Sequence, residues 1–313
     1  MDVISGLLDG PRAQGAFLLR SLLEPPWSLR IQDEAPLTLV ALVRGHAWMM
    51  FDNAEPIRLD AGSVAITAGT DHYSVADSPD TKPQIIIHPG QRCTTPDGFD
   101  LHEAMSLGVR SWGNSRTGST VMLTGTYQFE GEVSRRLLAA LPARLALDAA
   151  ALDSPLVEIL ASEIVRDVPG QPAVLDRLLD LLLITTLRTW FNRPEANAPA
   201  WYRSHGDPIV GPAVRLLQHN PSHAWTIASL ASEVGVSRAT LARRFSDVMG
   251  EPPMTYLSSW RLTLAADLLK EPAATVTSVA RALGYASPYA LSAAFKRTRG
   301  ISPVEHRRLS NSA

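Results

Sequence analysis

Residues 230–253 read LASEVGVSRATLARRFSDVMGEPP, and residues 279–303 read VARALGYASPYALSAAFKRTRGISP. The two stretches are copies of one pattern. Ala231, Gly235, Ser237, Leu241, Phe245, Gly250 and Pro253 in the first match, in order, Ala280, Gly284, Ser287, Leu291, Phe295, Gly300 and Pro303 in the second. The offset is 49 residues before the turn and 50 after it, so the second turn holds one extra residue. Self-similarity of this kind marks one supersecondary unit used twice. Each unit reads as two short helices meeting at a turn. The alanine lets the helices cross closely, and the glycine takes the positive φ of the turn. The serine caps the second helix, whose Leu and Phe at i and i+4 pack back on the first.

The opposite face of each second helix is then free to enter a DNA major groove. On that face the first copy presents Arg238, Ala239, Thr240, Ala242, Arg243 and Ser246. The second presents Ser287, Pro288, Tyr289, Ala290, Ser292, Ala293, Lys296 and Arg297. Arg243 suits guanine O6 and N7, while Ala239, Ala242 or Ala290 suit thymine methyl groups. Arg244, Lys296, Arg297 and Arg299 suit phosphates, which set register without reading sequence. An ordinary helical hairpin accommodates one such pattern, but not two in tandem that are each basic beyond the turn.

Charge separates the same region from the rest. The net charge of −2 hides −8 over residues 1–208 (17 basic against 25 acidic) and +6 over residues 209–313 (12 against 6). Only the last third is therefore expected to meet a polyanion. A chain of 313 residues, 45% hydrophobic, suits about two domains at roughly 100–200 residues each. Its single cysteine excludes an internal disulfide. The start, MDVISGLLDGPR, has no basic segment leading into an apolar one, and the most apolar run, residues 178–187, is interrupted by Asp180. A cytoplasmic protein without a membrane segment is expected, nucleoid-associated when bound to DNA.

The front of the chain reads as β. Short apolar runs at 37–43 and 47–51 flank Gly45, residues 57–68 form a pair broken at Ala61-Gly62, and 82–88 is β-branched. Residues 119–129 alternate, placing Val121, Leu123, Tyr127 and Phe129 on one face. From about residue 133 the period turns helical. Ser154-Pro155 is read as an N-cap with proline at the first helical position, and a second helix runs over about 172–191. That second helix is apolar on several faces and must be buried on several sides, within the monomer or in a homodimer; the homodimer is the expectation. Residues 192–207 read as a linker. The expected class is α+β in two domains: a β-barrel over 1–132, a helical dimerisation region and linker over 133–208, and an all-α DNA-binding domain over 209–313.

One stretch of the front half, IIIHPGQRC at residues 85–93, carries the lone thiol. His72, His88 and Cys93 are candidate ligands for zinc, since imidazole and thiolate suit that metal. A Cys–His nucleophilic pair lacks a third orienting residue. Alternatively, Arg92 and His88 lower the Cys93 pKa and make His88 and Cys93 an oxidant sensor, or the thiol is inert and buried.

Residues 209–308 resemble the DNA-binding domain of the AraC/XylS family of bacterial transcription regulators. The likeness is carried by WTIASLASEVGVSRATLARRF, GEPPMTYLSSWRLTLAADLLK and VTSVARALGYASPYALSAAFKRTRGISPVEHRR. It implies seven helices, a long connecting helix over about 253–269, and two recognition helices in successive major grooves of double-stranded DNA. It places the base-reading positions on Ala239, Ala242, Arg243, Tyr289, Ala290 and Ala293; several are alanine, so DNA shape is expected to contribute. It also implies RNA polymerase as a partner, with activation the default over repression. Residues 10–130 are similar to a cupin-type sensory domain, through GHAWMMFDNAEPIRLDAGSVAITAGTDHY, IIIHPG and GTYQFE. Gly62, Gly69 and His72 resemble the second cupin motif, but no His-x-His precedes them. HPGQRC resembles an His-Pro-Gly-x-x-Cys segment of AraC-like regulators that respond to reactive chlorine species. The resemblance implies a regulator, not an enzyme, controlled by an unidentified small-molecule or oxidant effector. A cupin enzyme fused to a DNA-binding module is the alternative.

Overall fold

A computed structural model of the chain describes residues 17–128 and 131–310. They form two compact units, residues 17–128 with 141–196 and residues 131–140 with 197–310. The helical stretch read from sequence as one block over 133–208 is thus divided between them.

The first unit is built on two sheets. Its strands are β1 (Phe17–Leu23), β2 (Ser28–Ile31), β3 (Leu37–Arg44), β4 (His46–Phe51), β5 (Ala54–Asp60), β6 (Val64–Ala68) and β7 (Tyr73–Ala76). They continue as β8 (Ile85–His88), β9 (Arg92–Thr94), β10 (Ser106–Gly108), β11 (Ser111–Trp112) and β12 (Thr120–Tyr127). The chain next forms α1 (Glu132–Leu138), part of the second unit, then returns as β13 (Arg144–Leu147). One sheet runs β10-β11-β1-β12-β3-β6-β13, and the other runs β5-β4-β7-β2-β8-β9. Leu23, Val40, Leu42 and Met122 of the first share a core with Leu29, Met49, Val75, Ile87 and Cys93 of the second. That is the cupin-like β architecture expected of the front half.

Three helices complete this unit: α2 (Ala149–Leu152), α3 (Leu156–Glu163) and α4 (Gln171–Phe191). They explain why β3 and β12 are buried on both faces instead of alternating. A Cβ added to Gly125 would lie 2.8 Å from Leu179 Cδ1, so a larger residue there would make the Leu179 side chain shift. The Tyr127 hydroxyl donates to the Leu179 carbonyl at 3.2 Å across the same contact.

Several elements differ from the sequence reading. β13 lies where helix was expected; RLAL is a weak strand sequence, but its four backbone pairs with β6 decide its state. Ser154 and Pro155 sit one position earlier than expected, with Pro155 as N-cap and the helix starting at Leu156. The linker region contains α5 (Ala200–Arg203), with Trp201 packed on the core of the second unit. The strands not foreseen, among them β1, β2 and β7, are either short or buried on both faces and show no period of two.

The second unit holds α1 and α5, then α6 (Val210–His219), α7 (Ile227–Glu233), α8 (Arg238–Met249) and α9 (Pro253–Leu268). It ends with α10 (Val276–Ala282), α11 (Pro288–Arg299) and α12 (Pro303–Ser310). Seven described helices, α6 to α12, therefore follow residue 208, as the resemblance implied. They enclose two cores. Leu230, Ala231, Leu241 and Phe245 centre the first, and Val279, Ala280, Leu291 and Phe295 centre the second. α7 and α10 begin with the same capping box, Thr226 with Ser229 and Thr275 with Ser278.

The two turn glycines are not equivalent. Gly235 and Gly284 both sit at φ +71°, but a Cβ on Gly235 meets nothing within 4 Å. A Cβ on Gly284 would lie 2.2 Å from the Ser222 carbonyl oxygen, in the loop joining α6 to α7. Gly235→Ala is expected to lose about 1–2 kcal/mol for the left-handed backbone alone. Gly284→Ala must also displace that loop, and about 3 kcal/mol or more is expected. Urea unfolding of the two variants checks this; equal losses would show that the Ser222 contact is not made.

Candidate functional site

Both recognition helices start the same way. Ser237 Oγ accepts the Thr240 N–H at 3.1 Å, and Ser287 Oγ accepts the Ala290 N–H at 3.1 Å. Each cap fixes the first turn, which is the part of such a helix that reaches base edges. Leu241 and Phe245 on α8, and Leu291 and Phe295 on α11, are fully buried, which sets the rotation of both helices. Arg238, Ala239 and Arg243 then face outward on α8; Tyr289, Ala293, Lys296 and Arg297 do so on α11. Tyr289, at 82% exposure, is the most open large apolar side chain among the described residues. Thr240, Ala242, Ala290 and Ser292 are half-buried along the edges of these faces.

Four expected contacts are partly spoken for within the fold. Ser287 is committed to its cap, Thr240 Oγ1 pairs with Ser237 Oγ at 2.8 Å, and Ser292 Oγ donates to the Pro288 carbonyl at 2.8 Å. Arg244, expected on phosphate, donates from Nε to Asp207 Oδ2 at 2.7 Å. Asp207 also accepts the Ile209 and Val210 N–H groups at 2.9 and 2.8 Å, at the start of α6. Burial opposes the charge on Asp207, but these N–H donors and Arg244 outweigh it and hold the carboxyl below the usual carboxylate range. Arg299 is likewise engaged, 3.2 Å from Glu132 Oε2, and is not a free phosphate contact. Asp207 and Glu132 are functional candidates that motif reading missed. Asp207 carries the signal of an acid at a helix start, but it lies in what reads as a linker.

The second candidate site is a cavity of about 960 Å³ in the first unit. Its buried wall includes Leu29, Val40, Val75, Ile87, Trp112 and Met122, and exposed Arg92, Asp100, His102 and Glu103 also line it. The volume lies at the upper end of the roughly 300–1,000 Å³ typical of small-molecule sites.

Cys93 belongs to the cavity wall, and its environment differs from the one expected to lower the thiol pKa. Ile87 pairs with Cys93 and His88 with Arg92 across β8 and β9, so His88 and Cys93 point to opposite faces. His88 Nε2 instead meets Thr94 Oγ1 at 2.9 Å. Burial, with the Asp100 charge adding to it, pushes the Cys93 thiol up to about 11 rather than down. The zinc expectation fails on the same geometry. His72 is exposed ahead of β7, near enough to Asp52 to add to the stronger effect of Arg30 on that carboxyl. Among the described residues no three His, Cys, Asp or Glu side chains are grouped to hold a metal ion. His72, His88 and Cys93 do not form a ligand set.

Two family models match the chain. Residues 2–192 match the family model described as Cupin, and residues 230–309 match one described as Helix-turn-helix domain. A putative AraC-like transcription regulator of Streptomyces lividans is 28% identical over 287 residues, covering 90% of each chain. The RCS-specific HTH-type transcriptional activator RclR of Escherichia coli (strain K12) is 31% identical over 153 residues, covering 48% of this chain and 53% of its own. Among solved structures, the DNA-binding domain of AdpA in complex with a target DNA is 31% identical. It covers 34% of this chain and 96% of its own, with a TM-score of 0.32.

The Cys93 environment is directly measurable. A thiol raised to about 11 is protonated at neutral pH and holds roughly a hundredfold less thiolate than an ordinary cysteine. Alkylation by iodoacetamide at pH 7 is expected to be slower than in urea-unfolded protein by at least that factor, and to keep rising with pH beyond 9. A native rate equal to the unfolded one would show an accessible, activated thiol.

Proposed function

This chain belongs to the AraC/XylS family of transcription regulators, with a Cupin domain at its front, and we propose that α8 and α11 read two successive major grooves of its operator. The observation that supports the reading is the duplication itself. Two capped helices are rotated by the same buried Leu–Phe pair and expose matching faces in the basic part of the chain. Arg243 is the base-reading arginine, with Ala239, Ala242, Ala290 and Ala293 offering close apolar approach. Lys296 and Arg297 hold phosphates, as does Arg238 at the start of α8.

The Cupin cavity is the site of control in this reading. Its buried apolar wall and charged rim suit a mostly apolar small molecule with a polar end. A small-molecule effector is favoured over an oxidant because Cys93 is buried and its thiol is pushed up. The chain acts as a regulator and not an enzyme, in line with its relatives, which are named as transcription regulators. RNA polymerase is the expected partner at the promoter, with activation the default. Among the described residues no helix is long and apolar enough to cross a membrane; work on DNA places the protein in the cytoplasm.

We assign the homodimer contact to α4. Val174 and Leu181 are 45% and 47% exposed and lie seven residues apart on one face of that helix, with Leu178 between them. An exposed apolar stripe of this kind on a soluble domain is a usual mark of a protein contact. Leu181→Glu is expected to convert a dimer to a monomer in sedimentation velocity, with the helical signal unchanged. A wild-type chain that sediments as a monomer at micromolar concentration would remove this assignment.

For the DNA reading, Arg243→Ala is expected to weaken specific binding by about 1–3 kcal/mol and to relax preference at one base pair. Affinity for any duplex is expected to fall steeply as salt rises. Fluorescence anisotropy on a duplex selected from random sequence, repeated over a salt series, checks both. Unchanged base preference would displace Arg243 from the groove, and a flat salt response would count against DNA as partner.

A further inference from the structure

Helix α1 is placed unlike the chain around it. The stretches on either side, residues 17–128 and 141–196, belong to the first unit, whereas α1 packs in the second. Four contacts hold it there. Val133 is buried in the first helix-turn-helix core, in one cluster with Val210, Phe245 and Trp260. The Asp267 carboxylate of the connecting helix α9 accepts the Glu132 N–H at 2.6 Å and the Val133 N–H at 3.1 Å. Arg136 stands 5.9 Å from the Trp260 ring. Finally, Glu132 Oε2 pairs with Arg299 at 3.2 Å while its other oxygen holds Arg135 at 2.8 Å.

The identities of these partners matter. Residue 131 is glycine, so α1 has no side-chain cap of its own and borrows one from Asp267. A Cβ at Gly131 would lie 3.3 Å from Asp267 Oδ2, a tight contact that the Asp267 carboxylate would have to ease by a few tenths of an ångström. Arg299 is the last residue of α11, and its guanidinium also lies 5.4 Å from the ring of Phe295, at the centre of the second core. One seven-residue helix is therefore rooted in the first core and tied to the recognition helix of the second.

We propose that α1 is a strap that sets the second recognition helix relative to the first, and that Glu132, Asp267 and Arg299 are positioning residues for DNA binding. The proposal rests on the DNA-binding reading given above. None of the three touches DNA in this scheme; they act through α11. With the strap docked, both helices are already placed, so engaging the second groove orders less of the protein and binding is tighter. A parallel tie exists in the first helix-turn-helix, where Arg244 of α8 is held by Asp207 at the start of α6. The difference is that α6 is continuous with its own unit, whereas both ends of α1 lead into the chain of the sensory unit. A change in that unit acts on strap docking through the chain itself, and DNA binding acts back on it by reciprocity.

The experiment uses the full chain and a duplex selected by wild type from random sequence. A second duplex has the half read by α11 scrambled, that half being the one where Lys296→Ala and Arg297→Ala lose contacts. Glu132→Gln and Arg299→Gln, each first shown to melt as wild type does, are expected to weaken binding to the intact duplex about threefold to tenfold, the range a lost cap or tie supplies. The double variant is expected to lose no more than either single one. On the scrambled duplex all should bind as wild type does, because α11 contributes nothing there. Asp267→Asn is expected to follow the same half-specific pattern. In hydrogen exchange, residues 132–138 should gain protection when the intact duplex binds.

Wild-type affinity in all three single variants, or equal losses on the two duplexes, would overturn the strap alone. A wild-type chain that selects no duplex would overturn the DNA-binding reading and the strap with it.

Discussion

The second unit depends on one helix serving two cores. Tyr256, Leu257 and Trp260 on the first half of α9 complete the core around Phe245. Leu262, Ala265 and Ala266 on its second half, with Leu269 just beyond it, complete the core around Phe295. Such a helix has no polar face to spare, and its apolar residues point in most directions because two cores lie on different sides of it. Neither core closes without α9, so the two recognition helices cannot be placed independently of it. Arg261, between the two apolar sets, reinforces the junction by donating to the Pro221 and His223 carbonyls at 2.6 and 2.8 Å. That loop is the one whose Ser222 leaves space only for glycine at position 284.

Given that frame, the arginines of the recognition helices divide by position. Those near the helix starts and on the outer face, Arg238, Arg243 and Arg297, remain open for a polyanion. Arg244 and Arg299 turn back and are held by acids at the starts of other helices, Asp207 and Glu132. In the proposed DNA-binding reading, the same residue type thus serves recognition or internal alignment according to which side of the buried Leu–Phe pair it occupies. An arginine fork suits both roles, since carboxylate and phosphate present similar acceptor geometry.

In the sensory unit, a pair of sequence neighbours is separated by the pleat of a sheet. HPGQRC places His88 five residues from Cys93, and the tight turn between β8 and β9 brings the two strands side by side. Register then decides the chemistry. Cys93 pairs with Ile87 and turns to the apolar interior, while His88 and Arg92 share the other face. Burial raises the thiol where a neighbouring cation would have lowered it. The same interior leaves a cavity of about 960 Å³, and Cys93 of the motif lies in its wall.

The sequence by itself determined the repeat, its turn glycines, its capping serines and the outward faces of α8 and α11. All of these follow from contacts within about 20 residues, where periodicity and backbone conformation are directly encoded. It also determined the main strands of the front half and the long apolar helix α4. What only the tertiary structure decided are the pairings of residues far apart in the chain. β13 is a strand because β6 lies beside it, and Arg244 is tied to Asp207, 37 residues away. Helix α1 belongs to the DNA-binding unit because Asp267, 135 residues later, caps it and Arg299 grips it. Such contacts leave no periodic trace in either partner, since each depends on where the rest of the chain has folded.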